Sequence, residues 1–231
     1  MLEKLSVPIA IVIAGVLIGG SLYLSNVKIA SQPQVKNVEL ATSSDTDNMR
    51  PISADDHILG NPNATLKIVE YSDLECPFCK VFHSTLKQVM DVYGKNGKVA
   101  WVYRHFPIDQ LHSKARKEAE ATECANELGG PQKFWEFTDM IYTTTNSNNS
   151  LDLAELPKIA KKIGLDVTAF NTCLSSGRYA AKVEADYQDA VKAGGRGTPN
   201  SIVVSADGTK TVIQGAQSYE AVKAIIDALL K

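Results

Sequence analysis

The chain has 231 residues, 44% of them hydrophobic, and a formal net charge of −2 at neutral pH. That length and apolar content allow a sizeable core, built as one domain with an insertion or as two small domains. A charge balance this close to neutral offers no footprint for nucleic acid, so no nucleic-acid partner is expected.

From Leu5 to Val27 no charged residue occurs, and Val7 to Leu24 is almost continuously apolar. The stretch is long enough to cross a bilayer. Its apolar core exceeds that of a cleaved secretory signal, Glu3 offsets Lys4, and Gly19-Gly20-Ser21 is only a weak cleavage site. Residues 1–25 are therefore read as an uncleaved signal-anchor or transmembrane helix, with a cleaved signal as the alternative. Either way the remainder leaves the cytoplasm, held at the outer face of the membrane or secreted. Residues 26–55 are rich in Ser, Thr, Gln, Asn and Asp, include Pro33 and Pro51, and show no apolar period. A flexible linker is expected there, followed by a folded domain over 56–231.

Thr65–Tyr71 reads as a largely buried strand after the turn signal Asn61-Pro62-Asn63-Ala64. A helix over Pro77–Tyr93 follows, with Val81, Phe82, Leu86, Val89 and Met90 on one face and Gly94 as its stop. Val99–Arg104 is a second strand, and the order strand, helix, strand implies a βαβ unit with parallel strands. From about 110 to 195 the pattern is helical: Leu111–Leu128, Pro131–Tyr142, Leu153–Ile163, Val167–Leu174 behind an Asp166 N-cap, and Tyr179–Ala193. The polar run Thr143–Ser150 is expected to be an exposed loop. Ser201–Val204 and Thr211–Gln214 flank Asp207-Gly208 as an antiparallel hairpin, and Ser218 caps a last helix over Tyr219–Leu230.

Cys76-Pro77-Phe78-Cys79 sits between the first strand and the first helix. Its readings are a redox pair, half of a zinc site, a haem attachment and two structural cysteines. Haem attachment requires His directly after the second cysteine, where Lys80 stands. Zinc would draw on His83, but the other cysteines are distant and no second Cys-x-x-Cys exists. No metal and no cofactor are expected. The redox reading has a physical cause: with Cys76 near the N-cap and Pro77 at the first helical position, unpaired N–H groups and the positive dipole end favour a thiolate. Cys76 is then the exposed, attacking sulfur and Cys79 the more buried, resolving one.

Several separated motifs bear a family resemblance: Val69 to Cys79, Tyr103-Arg104-His105-Phe106-Pro107, Ala121-Thr122-Glu123-Cys124-Ala125 with Phe134-Trp135-Glu136, and Gly197-Thr198-Pro199. Over roughly Asp55–Lys231 the chain resembles the DsbA-like thiol-disulfide oxidoreductases of the thioredoxin superfamily, in a branch often membrane-anchored in bacteria. The resemblance implies an α/β thioredoxin fold, βαβ then ββα, with an α-helical insertion at about 110–195. It implies a cis Thr198-Pro199 bond beside the redox pair, with Thr198, Pro199 and Phe78 meeting an extended substrate. Glu70 matches the buried acid of thioredoxin-like proteins and would relay a proton with Cys79; a strand-end charge facing solvent is the alternative. In a chain that leaves the cytoplasm, four cysteines most simply make two pairs, Cys76–Cys79 and Cys124–Cys173, and related sequences often carry the second as a structural bridge. Two buried free thiols are the other reading.

Phe78 stands where the strongest oxidants of the family often have His, so an acidity and oxidising power between thioredoxin and the strongest DsbA is expected. Arg104 and His105 either influence the site or lie solvated at a strand end. His112 reads as a helix-start residue, Trp135 with Phe134 and Phe137 as core of the helical block, and Lys161-Lys162 as a solvated face. The expected function is disulfide introduction into exported polypeptides, with a membrane quinone-linked thiol oxidase as reoxidant. A reductase or isomerase kept reduced is one alternative, and a tethered polypeptide-binding domain without redox turnover is another.

Overall fold

A computed structural model describes residues 44–231. The expected anchor over 1–25 lies outside them, and among the described residues no helix is long and apolar enough to cross a membrane. Five strands form one sheet: β1 (His57–Gly60), β2 (Leu66–Ser72), β3 (Val99–His105), β4 (Asn200–Ser205) and β5 (Lys210–Gln214), in spatial order β1-β3-β2-β4-β5. β2 and β3 are parallel, as a strand–helix–strand crossover requires, and the other pairings are antiparallel. The hairpin β4–β5 follows from Asp207-Gly208. β1 escapes sequence reading because four residues at a sheet edge are too few to show alternation.

The helices are α1 (Pro77–Val89), α2 (Ala115–Thr144), α3 (Leu156–Lys162), α4 (Val167–Ser176), α5 (Ala180–Lys192) and α6 (Tyr219–Leu229). α2 is two helices meeting at Gly130, whose φ of 77° interrupts the helical run where the Gly129-Gly130 stop is expected. α4 and α6 carry the anticipated caps, Asp166 accepting from Ala169 N–H and Ser218 from Ala221 N–H.

Strand alternation sorts the core into two faces. Leu66, Ile68, Trp101 and Val203 pack with Phe82, Leu86, Val222 and Ile226 of α1 and α6, while Val69, Tyr71, Val102 and Ile202 pack with Ala190 and Ala193 at the α5 end. A third cluster fills the insertion around Ala121, Phe137, Ile141, Leu156 and Phe170, and the Cys124–Cys173 disulfide lies within it. Phe137 belongs to this insertion core as expected, but Phe134 and Trp135 join the sheet core.

Several expectations change. Val81 is 60% exposed, because the buried face of α1 is set by Phe82, Leu86 and Val89. The helix expected to end at Tyr93 is α only to Val89 and closes in a wider π turn over Met90–Gly94. α2 begins at Ala115 rather than Leu111: Ile108 N–H and His112 Nδ1 are held by the Asp73 carboxylate, which keeps the preceding turns out of the helix. The run 143–150 is no freely exposed loop, since Thr145 and Ser147 are buried and Asn149 N–H donates to Glu75 Oε2 at 2.6 Å.

The linker expected over 26–55 also ends earlier in its described part. Ser44–Asn48 forms a 3-10 turn, Met49 is buried, and Arg50 pairs with Asp56 and Asp186 at 2.8 and 2.7 Å. Arg104 is fully buried rather than solvated, bound to Asp56 by two hydrogen bonds and to Asp189 at 2.7 Å. These partners come from residues far away in sequence, which is why composition alone reads the region as polar and loose.

Candidate active site

The end of β2 delivers the chain to Cys76, which occupies the N-cap of α1 in extended conformation (φ −78°, ψ 122°). Pro77 presets the first helical φ and has no N–H to satisfy. The next two amides, of Phe78 and Cys79, act on the Cys76 sulfur. The acidity of Cys76 is raised, to a pKa of about 6, by the Cys79 side chain first, then by Thr198 and these two amides, against the opposing effect of burial. That value falls between the handful of points known for this chemistry, about 7 for thioredoxin and about 3.5 for DsbA.

Both cysteines are free thiols. Cys76 is less exposed than its assigned role suggests, at 5%, because the Thr198 loop lies over it; Cys79 is at 0%. The order of exposure is the expected one. Burial, the hydrogen bond that Cys79 donates to the Cys76 sulfur, and the charges of Cys76 and Glu70 push the Cys79 pKa well above that of an ordinary thiol, with Asp73 N–H, 3.4 Å from Sγ, opposing them.

Thr198-Pro199 is a cis peptide. Pairing of Tyr71 with Asn200 places this loop at the end of β2, and Cys76 Sγ–H points to the Thr198 carbonyl at 3.5 Å. A groove of about 350 Å³, lined by Arg196, Gly197, Thr198, Pro199 and Gln214, adjoins it. Phe78, between the two cysteines, is 65% exposed. The structure thus sets Cys76, at the start of α1, against the Thr198-Pro199 loop before β4.

Glu70 is fully buried, which excludes the solvent-facing alternative. It shares the sheet face of Leu66 and Ile68, since side chains two apart on a strand point the same way. Ser72 Oγ donates to Oε1 at 2.8 Å and Trp101 Nε1 donates to Oε2 at 2.9 Å. Burial pushes its pKa up to about 7, with a further push from the Cys76 charge and these two donors holding it back. A carboxyl in this state can give or take a proton near neutral pH.

Sequence reasoning missed Ser72, Trp101 and Tyr142. Ser72 lies two residues after Glu70 on the same strand, a detectable spacing, and its hydroxyl is 3.1 Å from Tyr142 OH. Trp101 and Tyr142 arrive through the β3 register and the far half of α2, which no local pattern announces. His83 lies 2.6 Å from Asp139 rather than with the thiols, and among the described residues the cysteines join no group of three metal-capable side chains. Cys124 and Cys173 are joined by a disulfide, in the same apolar cluster that Cys76 and Cys79 enter. His105 is buried against Glu123, and His112 against Asp73.

A thioredoxin family model matches residues 53–228. Pseudomonas aeruginosa DsbA2 superposes with a TM-score of 0.64 at 28% identity, covering 78% of this chain and 97% of that one. Wolbachia pipientis alpha-DsbA1 gives 0.68 at 25% identity, covering 80% and 96%. Oxidised BdbD from Bacillus subtilis, at 23% identity and a TM-score of 0.67, covers 76% and 92% and shares the fold. Relatives by sequence include proteins named Na(+)/H(+) antiporter NhaA. That of Mycolicibacterium gilvum is 32% identical over 145 residues, 62% of this chain and 22% of the relative. That of Salinispora tropica is 32% identical over 158 residues, 68% and 23%. The chain spans under a quarter of the length of these two relatives.

Proposed function

Because the chain belongs to the thioredoxin family as a DsbA-like thiol-disulfide oxidoreductase, we propose that it works as an oxidase, introducing disulfides into exported polypeptides through Cys76 and Cys79. The observation that carries this reading is the acidity of Cys76, a thiol with a pKa of about 6 next to a thiol pushed the other way. A stabilised thiolate in the reduced form makes the Cys76–Cys79 disulfide the more oxidising.

In the reaction, a substrate thiolate attacks Cys76 Sγ of the Cys76–Cys79 disulfide. A substrate–Cys76 bond forms, the bond to Cys79 breaks, and Cys79 leaves as a thiolate. Its high proton affinity calls for a proton at once, and Glu70 supplies it. A second substrate thiolate then attacks the substrate sulfur of the mixed disulfide, and Cys76 leaves as the thiolate that its surroundings favour. Two electrons have passed from substrate to enzyme, and a quinone-linked thiol oxidase of the membrane accepts them in turn.

Thr198 offers backbone groups to an extended substrate, Pro199 removes a competing donor, and Phe78 supplies apolar contact. The apolar run Val7–Leu24 anchors the domain on the outer side of the membrane. Relatives bearing the name of ion antiporters support a membrane setting for a domain of this kind.

The test is titration against glutathione redox buffers with catalysed oxidation of a reduced two-cysteine peptide, Cys76→Ser serving as control. An oxidising potential and catalysis abolished by the substitution are expected. A strongly reducing potential would make the protein a reductase or isomerase, and no exchange would make it a polypeptide-binding domain.

A further inference from the structure

Away from the thiols, three buried side chains from three elements converge. His57 Nε2 of β1 lies 2.8 Å from Glu123 Oε1 of α2, and His105 Nε2 of β3 lies 3.1 Å from the same oxygen. All three donor atoms fall within 4.8 Å of one another, and the residues are 4%, 1% and 1% exposed. Glu123 Oε2 is buried with no hydrogen-bond partner. The nearest full positive charge, Lys182 Nζ, stands 3.5 Å from Oε1.

A buried carboxylate with one oxygen bare is a costly arrangement unless a cation completes it. Imidazole pairs with one carboxylate suit late transition ions such as zinc, whereas calcium and magnesium prefer all-oxygen shells. Zinc–donor distances of about 2.0–2.1 Å in a tetrahedron set donor–donor separations of roughly 3.4 Å, a few tenths of an ångström beyond the two nitrogen–oxygen separations of 2.8 and 3.1 Å. The imidazoles are also fixed in place: the His57 ring stacks on Phe134 with centroids 3.5 Å apart, and the His105 ring meets Tyr103 edge-on. His57 and Glu123 line a cavity of about 600 Å³, which gives an ion a route in and a solvent ligand.

We propose that His57, His105 and Glu123 form a binding site for a divalent ion of the zinc class, held by both Nε2 atoms and the Glu123 carboxylate, with solvent from the cavity as fourth ligand. On binding, each imidazole gives its Nε2 lone pair to the ion and carries its proton on Nδ1. The ion ties edge strand β1 and strand β3 to α2, next to the Cys124–Cys173 bridge. Its role is structural, separate from thiol exchange. His105 Nδ1 lacks the acceptor that commonly orients a ligating imidazole, which lowers affinity by about 10–100-fold.

The experiment uses the untagged full chain with Cys76–Cys79 oxidised, so that thiolates cannot take the metal, stripped with chelator and dialysed against zinc chloride. One zinc per chain is expected, undisturbed by millimolar calcium or magnesium, with at least tenfold weaker binding in His57→Gln and Glu123→Gln. Cobalt should give the intense visible bands of a four-coordinate site in the parent. Absence of stoichiometric zinc at about 100 μM with no such bands would overturn the proposal, as would binding unchanged in both variants. If Glu123→Gln does not fold, His57→Gln at the sheet edge and the cobalt spectrum of the parent still decide.

Discussion

Replacing Glu70 by Gln isolates one proton without disturbing the fold. Gln matches the volume of Glu, its carbonyl can accept from Trp101 Nε1, and its NH₂ can donate to Ser72 Oγ after that hydroxyl rotates. What disappears is the ionisable group. With a folded pKa of about 7 against an ordinary 4.5, the parent loses stability as pH rises from about 4.5 through 7. The sign follows from linkage: a carboxyl whose folded pKa is raised is neutral in both states at low pH and ionises at a penalty in the folded one above it. The penalty approaches about 3 kcal/mol by pH 8, so Glu70→Gln should equal the parent in stability at pH 4 and exceed it at pH 8. The same variant should exchange more slowly. Stopped-flow oxidation of a reduced peptide, followed by Trp101 fluorescence, should show a parent rate with an inflection near pH 7. In the variant that inflection should vanish, with a loss of about 10²-fold, the lower end of general acid–base effects. Identical pH profiles in parent and variant would refute the relay, and unchanged relative stability between pH 4 and 8 would refute the assigned ionisation.

Thiolate absorbance of the reduced protein should titrate with a midpoint near pH 6 and vanish in Cys76→Ser. Because a depressed thiol pKa stabilises the folded reduced form above it, that form should gain about 1 kcal/mol between pH 5 and 7, after allowance for solvent screening; equal thermal stability at the two pH values would contradict this. Removing the disulfide with Cys124→Ser and Cys173→Ser opens a separation of 49 residues, and should cost about 4 kcal/mol in denaturant unfolding while leaving the Cys76 titration unchanged. Arg104→Met strands Asp56 and Asp189 in a buried setting and should cost about 3–5 kcal/mol in thermal or urea unfolding. A variant as stable as the parent would show that Arg50 alone neutralises both acids.

The local signals in the chain were sufficient for the central strands, the hairpin, most helices and the caps at Asp166 and Ser218. Each rests on neighbours in sequence, such as alternation in Leu66 to Tyr71 or a side-chain oxygen three residues before an amide. Cys76 at a helix start with Pro77 behind it was legible for the same reason: the dipole and the free amides belong to the helix that the motif itself opens. The resemblance added the Thr198-Pro199 loop and the Cys124–Cys173 pairing.

Tertiary structure decided whatever depended on burial and distant partners. Glu70 could face water or the core, and only packing of α1 on the sheet put it in the core, where loss of solvation moves its pKa to about 7. Arg104 and His105 read as polar strand-end residues until Asp56 and Asp189, or His57 and Glu123, came to meet them. His57 and Glu123 are 66 positions apart, and no periodicity links them. Sequence by itself determined that two thiols stand at a helix start, because side-chain identity and helix starts are local properties. The fold alone determined their charge states and neighbours, because desolvation and Coulomb forces act through space and not along the chain.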